Sequence, residues 1–144
     1  MTLQETATKT TKYILDSDTI IYFLQGEESV ANKVGIMDIS KIYTTTINQA
    51  ELYYGAYNSS HPRGNLTTLK SFFSAMQILE FESEAAKEYG ELKAELKKKG
   101  QLIADMDICI AAIAKANKMV VVTNNTKDFS RIEGLTIENW RDEQ

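Results

Sequence analysis

The chain has 144 residues, of which 43% are hydrophobic and 25% charged, as is ordinary for a soluble globular domain. Its net charge of −4 argues against a purely electrostatic nucleic-acid binder, but not against an enzyme that meets phosphate through a bound cation. The apolar runs are too short to span a bilayer, and the N-terminus lacks the apolar region of a secretory signal. Cys109 is the single cysteine, which excludes an internal disulfide framework. Together these features predict a cytoplasmic protein.

Polar residues dominate positions 1–11, which we expect to form a flexible extension before a single domain at residues 12–144. Within the domain, short apolar or β-branched runs alternate with segments of helical periodicity, which predicts an α/β fold with a mainly parallel sheet. The predicted strands are 13–15, 42–46, 77–81, 119–123 and an edge strand at 135–140. The predicted helices are one that reaches residue 24 after a cap at 17–19, and the segments 29–37, 47–56, 66–76, 82–99 and 103–114.

Asp16 closes the first predicted strand, the apolar run Tyr13–Leu15. Open α/β sheets bind their ligands at the carboxyl ends of the strands, which is where Asp16 is expected to lie. A carboxylate at the end of a buried strand is costly unless another group pairs with it. A solvated turn aspartate is the structural alternative, and position alone favours a functional role only weakly.

Other carboxylates interrupt apolar helices. Glu51 lies within the helix 47–56. An exposed glutamate on the single solvent-facing side of that helix explains its presence as well as a functional role does. Asp105 and Asp107 open the helix 103–114, and neither the helix dipole nor the spacing of small residues separates their roles. If the crossovers are right-handed, the strand ends emerge on one side of the sheet, where these acids would converge. Such oxygen ligands suit Mg²⁺ or Mn²⁺, which can activate water and stabilise a phosphodiester transition state.

The basic residues give weaker indications of a functional site than the acidic residues do. His61 is the only histidine, so the sequence has poor material for a histidine-based zinc site or a Ser-His-Asp triad. The run Lys97–Lys99 precedes Gly100 and fits the C-terminus of a helix, where cations meet the negative end of the dipole. A phosphate-contacting patch is the functional alternative for this run.

Four segments of the chain resemble the PIN-domain ribonucleases of the VapC toxin type. They are Ile14–Thr19, Ile47–Ala56, Asp107–Ala112 and Val120–Phe129, with Gly134-Leu135 and Asn139-Trp140 beyond them. The resemblance implies a three-layer α/β/α PIN-like fold and Mg²⁺- or Mn²⁺-dependent cleavage of RNA, usually structured RNA such as tRNA or rRNA. It also implies a cognate antitoxin that occludes the site and, frequently, a homodimer.

The family's catalytic and metal-binding acids carry over onto Asp16, Glu51 and Asp107. The resemblance selects Asp107 over Asp105, because the family places its acid three residues before Ile-Ala, here Ile110-Ala111. Asp105 is then expected to cap the helix, with its carboxylate accepting from the amide of residue 107 or 108.

The resemblance also extends to supporting positions. The family often has another acid in the turn after the fourth strand, where this chain has the neutral Asn125, with Asp128 nearby. That difference puts a fourth carboxylate ligand and a second tightly held metal in question. Thr45 and Ser17 resemble the hydroxyl positions that lie beside the acids in the family.

Two other functions remain open at this point. The run Asp16-Ser17-Asp18 resembles the opening of haloacid-dehalogenase phosphatases, but position 20 is Ile where that family has Thr or Val, and Glu51 is left unexplained. A catalytically inactive PIN-like module that only binds RNA or protein is supported by the neutral Asn125. Three retained acids argue against it, because buried carboxylates without a metal cost stability.

Overall fold

A single parallel sheet forms the centre of the computed structural model, which describes residues 10–141. In chain order its strands are β1 Tyr13–Leu15, β2 Ile42–Thr45, β3 Gln77–Leu79, β4 Val120–Val122 and β5 Ile137–Glu138. Their order across the sheet is β3-β2-β1-β4-β5, and every neighbouring pair runs parallel. The predicted parallel sheet and the predicted edge position of the last strand are both confirmed.

Helices connect the strands, in the βα alternation that a parallel sheet requires. They are α1 Ser17–Leu24, α2 Glu28–Ile36, α3 Thr46–Tyr57, α4 Pro62–Ser74, α5 Ser83–Lys98, α6 Asp105–Asn117 and the single turn α7 Thr126–Phe129. Helix α4 begins before the predicted residue 66 because Pro62 occupies the first helical turn, where its missing N–H costs nothing. Gly100, at φ +66°, follows the C-cap of α5 as the lysine run predicted.

Two apolar clusters pack on opposite faces of the sheet. Successive residues of a strand point to opposite faces, so Ile14 and Val121 pack with α5 and α6, whereas Leu15 and Val122 pack with α1, α3 and α4. All four side chains are at most 1% exposed. The sequences of the central strands are continuously apolar because both of their faces are covered. The predicted three-layer α/β/α arrangement is confirmed.

The two central strands end in register. Leu15 of β1 lies opposite Val122 of β4, and the amide of Asp16 donates to the carbonyl of Val122 over 2.9 Å. Asp16 and Thr123 consequently leave the sheet side by side, at its carboxyl edge.

The predicted N-terminal extension, apart from Thr10 and Thr11, lies outside the described residues. In the part of the chain that the structure describes, no helix combines the length and the apolarity that crossing a bilayer requires.

Candidate active site

Asp16 is held at the junction between β1 and α1. It is the N-cap of α1, with extended backbone angles, and its Oδ1 accepts from the amide of Ser17 over 2.9 Å. Asn48 Nδ2 donates to the same oxygen over 3.0 Å, and Thr123 Oγ1 donates to Oδ2 over 2.7 Å. The residue is only 6% exposed. Asp16 is therefore a buried, fully hydrogen-bonded carboxylate and not a solvated turn residue.

The electrostatics of Asp16 reflect both its burial and its neighbours. Burial first, and then the nearby carboxylates of Asp18 and Asp107, raise its pKa to about 7, a net value that already includes the opposing hydrogen bonds from Thr123 and Ser17. An acid in this environment needs a positive charge nearby to remain ionised at low cost. The site thus favours a cation on electrostatic grounds.

Glu51 contacts the same cluster from helix α3. Its Oε1 accepts from the hydroxyl of Ser17 over 2.6 Å, a bond that joins residues 34 positions apart in the chain. The side chain is half-buried, so it is not the freely exposed glutamate of the alternative explanation. Helix α3 begins where β2 ends, which places Glu51 one turn into the helix and beside the carboxyl edge of the sheet.

Asp107 approaches from the first turn of α6. Burial, followed in size by the charges of Glu51, Asp128 and Asp18, raises its pKa to about 6. These contributions show that acids from four separate segments share one electrostatic environment. Asp16, Glu51 and Asp107, each predicted for the site, are therefore brought together.

Asn125 lies between two of these acids. Its Nδ2 is 3.4 Å from Asp107 Oδ2 and 3.2 Å from Asp128 Oδ2, within hydrogen-bonding range of both. The neutral residue in the turn after β4 thus bridges two carboxylates. Asn125 and Asp128, two of the predicted supporting residues, lie beside Asp107.

The prediction for Asp105 is wrong. Ala104, not Asp105, is the N-cap of α6, and no side chain caps that helix end. Asp105 is exposed and instead accepts from Lys93 Nζ over 2.8 Å and from the hydroxyl of Tyr89 over 3.1 Å. The hydrogen bond from Lys93 lowers the pKa of Asp105, the opposite of the shift at Asp107. A cation and a hydroxyl from α5 bind this carboxylate, and they draw it away from both the backbone and the acidic cluster.

The two predicted hydroxyl positions have different roles. Ser17 contacts Glu51 directly, as described above. Thr45 caps α3 by accepting from the amide of Asn48 over 3.1 Å, and its own hydroxyl donates to Asn48 Oδ1 over 2.7 Å. Thr45 therefore contacts the carboxylates only through Asn48.

None of three further residues at the site, Asp18, Thr123 and Asn48, was predicted to be part of it. Asp18 accepts from the amide of Asn124 over 3.1 Å, and burial raises its pKa. Thr123 and Asn48 are both fully buried and both donate to Asp16. In the sequence, Thr123 is distinguished only as a polar residue directly after a buried strand. Asn48 is distinguished only as a polar residue one helical turn before Glu51.

The donor set fits a hard divalent cation. In residues 10–141 no group of three or more His, Cys, Asp or Glu side chains is arranged so that it could hold a metal ion together. Mg²⁺ does not require one, because it binds through one or two carboxylates and keeps several waters. Burial and, to a lesser extent, mutual repulsion raise the pKa values of Asp16 and Asp107, and a bound cation would offset both effects, so the residues present fit Mg²⁺ or Mn²⁺.

The raised pKa values predict how the metal-free protein responds to pH. Between the unfolded value of 3.8 and the folded values of about 7 for Asp16 and about 6 for Asp107, the folded state binds more protons than the unfolded state. The free energy of unfolding should therefore fall as the pH rises from about 4 to about 7. Urea denaturation in EDTA across this range measures the slope. Asp16→Asn should flatten it, whereas a slope that is zero or positive in the wild type would contradict the electrostatic account.

Comparison with known proteins identifies relatives along most of the chain. The model of the PIN domain matches residues 13–135. "Ribonuclease VapC2" of Haemophilus influenzae is 36% identical over 129 residues, which are 90% of this chain and 98% of that protein. "tRNA(fMet)-specific endonuclease VapC" of Salmonella typhimurium is 34% identical over the same shares. Among solved structures, the DNA-bound VapBC of Salmonella typhimurium has a TM-score of 0.85 at 34% identity and covers 91% of this chain and 99% of its own.

Proposed function

Since the chain belongs to the PIN-domain family of VapC-type ribonucleases, we propose that it hydrolyses RNA phosphodiester bonds at the cluster formed by Asp16, Glu51 and Asp107, with Mg²⁺ or Mn²⁺ as its cofactor. The observation that carries the proposal is the convergence of these acids from three distant segments at the carboxyl edge of the sheet. The raised pKa values of Asp16 and Asp107 also support a site that binds a cation. The family match decides against the haloacid-dehalogenase alternative.

Each residue has a role that follows from its contacts. Asp16 is held by three hydrogen bonds from protein groups, and Asp107 and Glu51 would complete the carboxylate ligands. Ser17 orients Glu51 through the 2.6 Å bond to Oε1. A divalent cation bound here would supply charge stabilisation at the scissile phosphate and a more acidic water. Asp128 and Asn125, beside Asp107, would support the ligands or orient water.

The substrate class and partner rest on the relatives. One relative bears the name tRNA(fMet)-specific endonuclease, which supports structured RNA, tRNA above all, as the substrate of this chain. VapBC structures of Salmonella typhimurium and Rickettsia felis are similar to it, at 34% identity each, which supports a cognate antitoxin as partner. We expect that partner to place Arg or Lys against the acids, since guanidinium and ammonium groups match carboxylates. A homodimer and a cytoplasmic location are part of the same proposal.

The proposal predicts RNA cleavage that depends on divalent metal. The protein, purified free of any partner, should cleave tRNA in the presence of Mg²⁺ or Mn²⁺ and should lose that activity in EDTA. EDTA already saturated with Mg²⁺ is the control for effects of the chelator itself, and it should leave the activity intact. Undiminished cleavage in EDTA would contradict metal dependence. A folded protein that binds RNA but never cleaves it with either metal would instead identify an inactive binding module.

A further inference from the structure

We propose that Asn48 is a positioning residue, which fixes the spacing between Asp16 and Glu51 before a metal binds. The inference rests on the proposed metal-dependent function and adds to it a residue that lies beneath the site. Asn48 is in the first turn of α3 and is completely buried. Its side chain extends from the helix that carries Glu51 to the segment that carries Asp16 and Ser17.

The hydrogen bonds of Asn48 can be arranged in only one way. Thr45 Oγ1 already accepts from the backbone amide of Asn48, so its own proton goes to Asn48 Oδ1, 2.7 Å away. The two protons of Asn48 Nδ2 are then directed at Asp16 Oδ1 and at Ser17 Oγ, each over 3.0 Å. A flipped amide would set its oxygen against the Asp16 carboxylate and is therefore excluded.

This arrangement connects the two acids through a chain of donors. Ser17 Oγ accepts from Asn48, and its own hydroxyl donates to Glu51 Oε1 over 2.6 Å. Asn48 therefore holds Asp16 directly and Glu51 through Ser17. The donors all point toward carboxylate oxygens, so the network stabilises both acids as hydrogen-bond acceptors in a defined geometry.

A purely structural role explains this arrangement less well. A buried amide costs stability unless its partners are complete, and an apolar side chain would pack at this position without that requirement. Of the three side chains that Asn48 contacts, Asp16 is a proposed ligand and Ser17 contacts another, Glu51. A metal site needs such a network beneath its ligands, since loss of a residue that orients a ligand typically lowers metal affinity by about 10- to 100-fold.

The test is the affinity of the folded protein for Mn²⁺, measured by titration calorimetry with circular dichroism as the folding check. Asn48→Leu removes both donations and should weaken Mn²⁺ binding by about 10- to 100-fold, the usual cost of losing such a support. It should also lower kcat on tRNA more than it changes KM, because the buried residue does not contact substrate. Asn48→Ser, which retains a single hydroxyl, should fall between Asn48→Leu and the wild type, and it decides the question if Asn48→Leu does not fold.

Thr44→Val is the matched control. Thr44 is also fully buried near the end of β2, but its hydroxyl donates only to the carbonyl of Leu15, over 3.0 Å. This variant should lose stability and keep the wild-type affinity for Mn²⁺. Combined with Asn48→Leu, Ser17→Ala should weaken binding by less than the two separate effects predict, because both act through one network.

The outcomes separate this inference from the proposed function. A wild-type protein that binds no Mn²⁺ would overturn the proposed function and the inference with it. A wild-type protein that binds Mn²⁺ while folded Asn48→Leu and Asn48→Ser bind it equally well would overturn only the positioning role. Equal weakening by Thr44→Val would show that loss of stability, not loss of positioning, lowers the affinity.

Discussion

Asp16→Asn is expected to abolish RNA cleavage and to leave the metal-free protein at least as stable as the wild type at pH 8. Loss of a ligand should lower kcat by more than the 10- to 100-fold that is typical for residues behind the ligands. The amide is nearly isosteric with the carboxylate. Its oxygen can still accept from Ser17 and Asn48, and the hydroxyl of Thr123 can rotate to accept from its NH₂ group.

The stability effect follows from the pKa. At pH 8 the carboxyl of Asp16, with a pKa of about 7, is mostly ionised in a buried position, and the neutral amide removes that cost. The gain should be on the order of a few kcal/mol, at about 1.4 kcal/mol for each pKa unit, and should shrink as the pH falls toward 4. Urea denaturation in EDTA measures it. A clear loss of stability at pH 8 would show that Asp16 is a structural residue and not a site residue.

Asp107→Asn and Asp105→Asn should have opposite consequences, although the two acids are separated by one residue. Asp107 shares the environment of Glu51 and Asp128, so its amide variant should lose cleavage while remaining folded. Asp105 is exposed and bound to Lys93, and exposed ion pairs contribute little to stability, so its variant should keep most of its activity and stability.

A side-by-side cleavage assay on tRNA, with circular dichroism of both proteins, tests this pair. The Asp105 variant serves as the control for the general effect of removing a charge from the start of α6. If the two variants exchanged outcomes, the assignment of Asp107 to the site would be wrong, however well the helix itself is placed.

The sequence allowed the fold and the location of Asp16 at the edge of the sheet to be predicted, because both depend on local pattern. The apolar runs Tyr13–Leu15 and Val120–Val122 are strands covered on both faces, and a parallel sheet brings their carboxyl ends to one edge. Asp16 could be placed there from its position after β1 alone. The selection of Asp107 over Asp105 required the resemblance to the family, since the dipole and the spacing were the same for both.

What could not be predicted depends on contacts between distant segments. Lys93 binds Asp105 across 12 residues, and nothing near Asp105 in the sequence indicates that this bond replaces a helix cap. Thr123 reaches Asp16 across 107 residues and Asn48 across 32, so neither donor has a local signature. The role of a single buried amide or hydroxyl can be assigned only when the fold shows which oxygen it contacts.

The most direct test of the central claim is the melting temperature of the metal-free protein at pH 8, before and after Mg²⁺ or Mn²⁺ is added. If the carboxylates at the carboxyl edge of the sheet hold the cation, the melting temperature should rise with metal concentration, because metal binds the folded state and offsets the repulsion there. Asp16→Asn should remove most of that rise. A wild-type melting temperature that neither metal raises would contradict the account.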